Sequence, residues 1–378
     1  MLQSESTNSS ALPSSDPHGP SSVAAVVLAG SYAWTGSTFE RLRPRPLLPV
    51  GQAPLIVHVL RSLERAAVSQ ATICANGATP SLKAHFAQSP FAGVNISYYE
   101  DGSPRGAAGC VFDAARSTDA ETLIVTDCSV LPDLCYEKLL AQHRDTGAAL
   151  TIVVTRDERA GAKAALNPTG VYVIERRVLH YVGAQGYQDI KESLVPQLHR
   201  AGETIATFET EPGCPTVLNA HSYLDANRWM TSRVATGQAS LASSRDYRRT
   251  GDVVAHVSAR IDESASLVGP VIVGADVRIE AGAVIVGPTT IGDGSVIRAR
   301  AVVSRSVIWS GTEIGADALV DQSILADNTV IPEGSQLHGG VRTAASETQR
   351  PLLSWLRGPA AAARRPQPVT GLAMSSVR

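Results

Sequence analysis

From residue 261 onward an aliphatic side chain returns every six residues, at Ile261, Leu267, Val273, Ile279, Ile285, Ile291, Ile297 and Val303. Four residues after each stands a small or β-branched one: Ala265, Val271, Val277, Ala283, Thr289, Ser295, Ala301 and Val307. The phase slips by one residue to Ile308, Ile314 and Val320, and again to Leu325, Ile331 and Leu337. A hexapeptide repeat of this kind predicts a parallel β-helix, with aliphatic residues stacked inside coils whose turns are rich in Gly, Asp and Ala. Residues 251–342 would make about five coils. Each coil buries its core only against its neighbours, so the ends need caps and such domains often associate with one another.

Residues 23–237 follow a different pattern. Short apolar runs alternate with amphipathic ones, which predicts a parallel sheet wrapped by helices, a Rossmann-like α/β domain. Candidate strands are residues 23–28, 70–75, 94–100, 122–127 and 149–155. In residues 54–68, Ile56, Val59, Leu60, Leu63 and Ala67 fall on one helical face, with Pro54 at the first turn. Ligands of such sheets sit at the carboxyl ends of the strands, where Gly30 and Asp127 would both lie. A hydrophilic linker, residues 238–250, joins the two patterns, and 378 residues with 44% apolar content can build both cores.

Composition excludes several function classes. A net charge of −2 offers no polyanion-binding surface, so no nucleic-acid partner is expected. The five cysteines, Cys74, Cys110, Cys128, Cys135 and Cys214, are odd in number and form no C-x-x-C pair. They read as free thiols of a reducing cytosol, which predicts a cytoplasmic protein. Residues 1–22 are rich in Ser and Pro without an apolar core, and read as a disordered tail rather than a signal peptide. No run of eighteen apolar residues suggests a membrane span. Residues 343–378 read as a loosely packed tail, in which the patch PLLSWLR (351–357) either packs back or docks to a partner.

Chemistry concentrates in residues 26–50, VVLAGSYAWTGSTFERLRPRPLLPV. The stretch resembles the opening of the sugar-1-phosphate nucleotidyltransferases (NDP-sugar pyrophosphorylases, including the mannose-1-phosphate guanylyltransferases), whose motif is LAGG-x-GTRL-x-PLT-x-x-x-PKP. The spacing between Leu28-Ala29-Gly30 and Pro44-Arg45-Pro46 matches without a gap. The resemblance places Ser31 at the family's second glycine, Ala33 at the third, Trp34 at the threonine and Thr35 at the arginine that grips the phosphates. Glycines let backbone N–H groups approach a phosphate, and Ala33 and Trp34 obstruct that approach. Ala29, Gly30 and Arg45 remain as nucleotide-binding candidates. Arg45 has two readings: a phosphate contact, or Lys-to-Arg drift in a chain where only four of 33 basic residues are lysine.

Three further landmarks fit the same family. Pro104-Arg105-Gly106-Ala107-Ala108-Gly109-Cys110-Val111 looks like its PLGTAGAL segment. Gly106 and Gly109 then either present a helix N-terminus to a nucleotide or serve a tight strand-to-helix turn. The segment LIVTDCSVLPDL (123–134) resembles LV-x-NGD-x-L-x-DL and puts Ser129 at the metal-binding Asp. The segment PTVLNAHSYLDAN (215–227) resembles W-x-DIGT-x-x-x-Y-x-x-AN and puts Thr216 at the second. Two hydroxyls do not replace the two carboxylates that hold magnesium, although Asp127, two residues before Ser129, would face the same side of a continued strand. The family's β-hairpin with its Glu-Lys pair has no room between TIVVT (151–155) and TGVYV (169–173). Lys163 is either its vestige or a solvated loop residue.

The resemblance covers roughly residues 23–340, and likeness to hexapeptide-repeat proteins makes the β-helix left-handed. With a clamp arginine, two carboxylates and a hairpin missing, the expectation is a catalytically silent family member. It would need no cofactor and could bind a nucleotide or NDP-sugar. It would act as a regulatory or scaffold subunit, assembled with itself or with an active paralogue. One alternative is an active nucleotidyltransferase with an atypical site, which would need Mg. Another is a hexapeptide-repeat acyltransferase, for which His256 and His338 only bracket the coils.

Overall fold

A computed structural model describes residues 22–30, 42–100, 105–156, 166–210, 214–241 and 244–344. In chain order the first domain runs β1 (Val23–Leu28), a small hairpin of β2 (Pro49–Val50) and β3 (Ala53–Pro54), α1 (Leu55–Arg65), β4 (Gln70–Cys74), α2 (Thr79–Gln88) and β5 (Asn95–Tyr99). It continues with α3 (Gly106–Ala114), β6 (Thr122–Asp127), α4 (Tyr136–Asp145), β7 (Leu150–Arg156), β8 (Leu166–Glu175), α5 (Val195–Arg200), β9 (Ile205–Glu209) and α6 (Ala220–Ala235). The sheet order is β5-β4-β1-β6-β8-β7-β9. Its central strands are apolar on both faces because one core cluster lies on each side, one around Ile56, Leu60 and Leu63, the other around Val111, Leu123 and Ile174.

The sheet is not wholly parallel. β1 pairs in parallel with β4 and β6, but β8 runs against both β6 and β7. Arg156 pairs with Leu166, so β7 and β8 are joined by a connection too short for the crossover that parallel neighbours need. α1 buries Ile56, Val59, Leu60 and Leu63 as its periodicity predicts. Ala67 does not join that face: the helix ends at Arg65, and Ala67 at φ 56° closes it, donating its N–H to Glu64 O at 2.9 Å. On the other side of the sheet order, His143 of α4 is almost fully buried. Its ring meets Thr151 Oγ1 at 2.7 Å and Glu175 Oε1 at 3.0 Å, while Thr122 donates to the same Glu175 oxygen at 2.9 Å, which fastens α4 to three strands.

The second domain is a parallel β-helix. Val253 pairs with Val271 and Val271 with Thr289, each 18 residues on, or three hexads. Thereafter Thr290 pairs with Val307 and Val307 with Ile324, a coil of 17. The two slips of the repeat therefore fall at one corner of successive coils. Val286 and Thr290 flank that corner in one coil, Ser304 and Val307 in the next, and Asp321 and Ile324 in the one after. A second face stacks Ile261, Ile279, Ile297, Ile314 and Ile331 in register, five coils deep. The interior is Val273, Ile285, Ile291, Val303, Val320 and their neighbours.

One cluster spans both domains. Leu48, Val50 and Leu55 of the hairpin region and Tyr223, Leu224 and Met230 of α6 pack on Val254, Ile272, Val307, Trp309 and Ile324 of the β-helix. At its centre the Trp309 Nε1–H donates to Tyr223 Oη at 2.9 Å, and Tyr223 Oη–H donates to Pro49 O at 2.5 Å. The two rings meet edge to face at 6.4 Å. Gln52 Nε2 donates to Ile291 O at 2.6 Å, and Gly51 N–H to Asn227 Oδ1 at 3.2 Å.

Tyr223→Phe removes the acceptor of the Trp309 indole N–H and the donor to Pro49 O, so it should lower stability by about 1–3 kcal/mol in urea denaturation. His58 supplies a pH test. Burial above all, with the charges of Arg61 and Arg65, lowers its pKa from 6.5 to about 4, against the opposing pull of the Val50 and Ala53 carbonyls. The unfolded chain takes up that proton first, so stability is complete above pH 6.5 and falls as pH drops toward 4. His58→Asn should lose less stability than the parent across that window, measured by urea midpoints at successive pH values.

Candidate active site

The strand ends gather the predicted residues. Leu28 lies beside Asp127 across β1 and β6, and Cys128 N–H donates to Leu28 O at 2.9 Å. On the other side Ala29 N–H donates to Cys74 O at 2.8 Å. Ala29-Gly30 and Asp127-Cys128 therefore leave the sheet side by side, because parallel strands in register end together. Among the described residues, the nearest atom to a Cβ on Gly30 would be Asn76 Nδ2 at 3.6 Å, an ordinary contact distance. Arg45 opens a short 3-10 turn, Arg45–Leu47, close enough to Cys128 for its charge to act on the thiol. Burial and the Asp127 carboxylate push that thiol up, and Arg45 opposes them. Ser31, Ala33, Trp34, Thr35 and Lys163 lie outside the described residues, as do Pro104, residues 1–21 and the patch at 351–357.

Ser129 and Thr216, the residues that the motif resemblance sets at the metal carboxylates, come together. Val130 forms an antiparallel bridge with Thr216, Leu131 N–H donates to Pro215 O at 2.8 Å, and Val217 N–H donates to Ser129 O at 2.7 Å. Ser129 is only 3% exposed. Asp127 does not project freely into the space beside them: its Oδ1 accepts the Ser129 N–H at 2.7 Å. Gly170 of β8, at φ 93°, passes so close that a Cβ there would lie 3.2 Å from Asp127 Cβ. Magnesium prefers carboxylate oxygens in near-octahedral array, and this pair of hydroxyl residues on a closed ladder does not fit it. Among the described residues no three His, Cys, Asp or Glu side chains gather as a metal site would require.

Gly106 and Gly109 lie at the start of α3, whose first N–H groups already have an acceptor. Ala108 N–H donates to Gln188 O at 2.9 Å, Gly109 N–H to the same oxygen at 3.3 Å, and Gln188 N–H donates back to Arg105 O at 2.5 Å. Arg105 folds over the turn to reach Asp113 at 2.7 Å and Gly183 O at 2.8 Å, and a Cβ on Gly109 would stand 2.7 Å from its own. Asp189, next in the chain, caps the following π-helical turn, its Oδ1 accepting from Lys191 at 2.7 Å and Glu192 at 3.0 Å. Tyr172 sits between these groups electrostatically: burial first, then Asp189 and Asp127, push its hydroxyl pKa up. Sequence reading missed Gln188 and Asp189. Gln188 acts through its backbone, which no residue type announces, whereas Asp189 stands at the N-cap of a helical run and carried that signal.

His256 and His338 do not form a catalytic pair. His256 packs edge to face on Tyr247 at 5.1 Å and bonds Ser258, and His338 lies 4.0 Å from Asp321, which is itself bound to Arg305.

Gly106 has φ 80°, and a Cβ there would meet Gln188 O at 2.6 Å, whereas Gly186, at φ 79°, has open space around it. Gly186→Ala should cost about 1–2 kcal/mol from backbone strain alone. Gly106→Ala should cost clearly more and release the Gln188 turn. Thermal denaturation of the two variants side by side, with limited proteolysis after residue 180, reads the difference.

The nucleotidyl transferase family model matches residues 24–163, and that of the GMPPB C-terminal domain matches residues 267–348. Mannose-1-phosphate guanylyltransferase of Mycobacterium tuberculosis is 24% identical over 280 residues, 65% of this chain and 74% of the relative. Probable mannose-1-phosphate guanylyltransferase 3 of Oryza sativa is 23% identical over 353 residues, 84% of this chain and 94% of the relative. The crystal structure of HddC from Yersinia pseudotuberculosis complexed with GMP-PN is 14% identical at a TM-score of 0.46, over 54% of this chain and 97% of that one. Two consecutive family matches in the order of the two folded domains, with relatives aligned across both, support a sugar-1-phosphate nucleotidyltransferase family for this chain.

Proposed function

We propose that the chain is a catalytically silent member of this family, a regulatory or scaffold subunit in sugar-nucleotide or polysaccharide metabolism. It keeps the cleft of its relatives for a nucleotide or NDP-sugar and does not drive pyrophosphate chemistry. The observation that carries the reading is the Ser129–Thr216 ladder: hydroxyls occupy the two positions where the family motifs place magnesium carboxylates, and the backbone around them is closed by hydrogen bonds. The metal in such a reaction neutralises charge on the transferring phosphoryl group, and removing one such electrostatic contact costs about 3–4 kcal/mol of barrier. The residues facing a retained ligand would be Ala29, Gly30, Arg45 and Asp127 at the strand ends, with Gly106 and Gly109 at the start of α3. Assembly with itself or with an active paralogue would give the silent subunit its role. Its cysteines, none of them in a disulfide, suit a reducing, cytosolic setting.

Purified protein with magnesium, any of the common nucleoside triphosphates and hexose 1-phosphates should release no pyrophosphate above a protein-free blank. Steady turnover that scales with protein concentration would restore the active-enzyme reading. Calorimetric titration with GDP-mannose and with GDP separates the remaining possibilities: saturable heat marks a sensor, and its absence leaves a scaffold.

A further inference from the structure

A second cleft, of about 590 Å³, lies away from the strand ends, between α1 and α2 on one side and the β-helix on the other. Its lining includes three basic groups, Arg43, Arg61 and His85, and one carboxylate, Asp293. Arg43 stands at the rim with its guanidinium 5.2 Å over the Trp309 ring and bound to Asp327 at 2.5 Å. Asp293 is already engaged, since its Oδ1 accepts the Ala275 N–H at 2.7 Å. Arg61 differs from both. It is half-buried on the face of α1 toward the cleft, and among the described residues it makes no hydrogen bond or ion pair. Burial pulls its pKa down first, eased by Glu64 and reinforced by Arg65. His85 is likewise held down by burial and by the Arg43 charge.

A partly desolvated guanidinium without an acceptor is unfavourable, and it becomes favourable when an oxyanion of matching geometry takes its forked donors. Phosphate fits the forked donors of Arg61, which have no acceptor among the described residues.

We propose that this interdomain cleft is a second ligand site, taking a small phosphorylated anion on Arg61 with Arg43 and His85 beside it. Its walls come from both domains, so occupancy draws on the pairing fixed by Tyr223 and Trp309 and favours that pairing over separation of the domains. The site needs no assumption about catalysis at the strand ends.

The test is calorimetric titration of the full chain with inorganic phosphate, against sodium chloride of equal ionic strength. Saturable binding is expected. Arg61→Gln should weaken it by about tenfold or more, Arg61→Lys by less, and Arg45→Gln at the strand ends should leave it within about twofold. Circular dichroism checks that each variant folds. No saturable heat in the parent protein overturns the site, as does binding that Arg45→Gln abolishes or that neither Arg61 variant changes. Because the readout is binding of phosphate alone, its failure says nothing about pyrophosphate release, and turnover by the protein would leave this result untouched.

Discussion

The whole arrangement depends on a single buried hydroxyl. Tyr223 Oη accepts from the Trp309 indole and donates to Pro49 O, so one atom joins α6, the β-helix and the hairpin that follows Pro44-Arg45-Pro46. Around it the cluster from Leu48 to Ile324 excludes water, which makes each of those polar contacts costly to break without replacement. The hairpin is thereby fixed from its outer side. Its position sets where Arg45 lies relative to Cys128 and Asp127, and it also sets the floor of the cleft beneath Arg61. A repeat domain appended to a nucleotide-binding fold could have hung from a flexible linker; here its first face is part of the same core.

How much of this was legible in the sequence depended on whether the information was local. The β-helix was legible to the level of its defects, because a stacked coil needs one interior residue per hexad and tolerates a missing residue only at a corner. Both slips, before Ile308 and before Leu325, fall at such corners. Gly30 and Asp127 were legible as neighbours because strands that run in parallel end on the same edge. The antiparallel β8 was hidden, since its covered half, residues 171–174, is apolar whichever way the strand runs. Tyr223 and Trp309 are 86 residues apart, and neither departs from its local pattern, so nothing in sequence pairs them. The carbonyl of Gln188 on the α3 terminus was beyond reach for a different reason: a backbone acceptor carries no residue identity.

Gly106 and Gly109 show how one pattern can serve two readings. The glycines were expected either to open a helix to a nucleotide or to permit a tight turn. The turn has its own sufficient cause, because Gly106 takes a left-handed φ against Gln188, and Gly109 leaves space for Arg105 to fold back to Asp113. A ligand would have to compete with Gln188 O for the same N–H groups or approach from elsewhere on the turn.

The substitutions at the strand ends also have a stability logic. Two carboxylates held across the Val130–Thr216 bridge would repel unless a cation lay between them, and each would resist the burial seen at Ser129. Hydroxyl residues at the same positions remove that repulsion and let the ladder close with bonds of 2.7 and 2.8 Å. Active sites commonly hold such electrostatic strain at the expense of stability, and relieving it stabilises the fold while removing the function. On electrostatic grounds the neutral ladder is more stable than a ladder carrying two unpaired carboxylates. Asp127 belongs to the same turn, its Oδ1 accepting the Ser129 N–H at 2.7 Å.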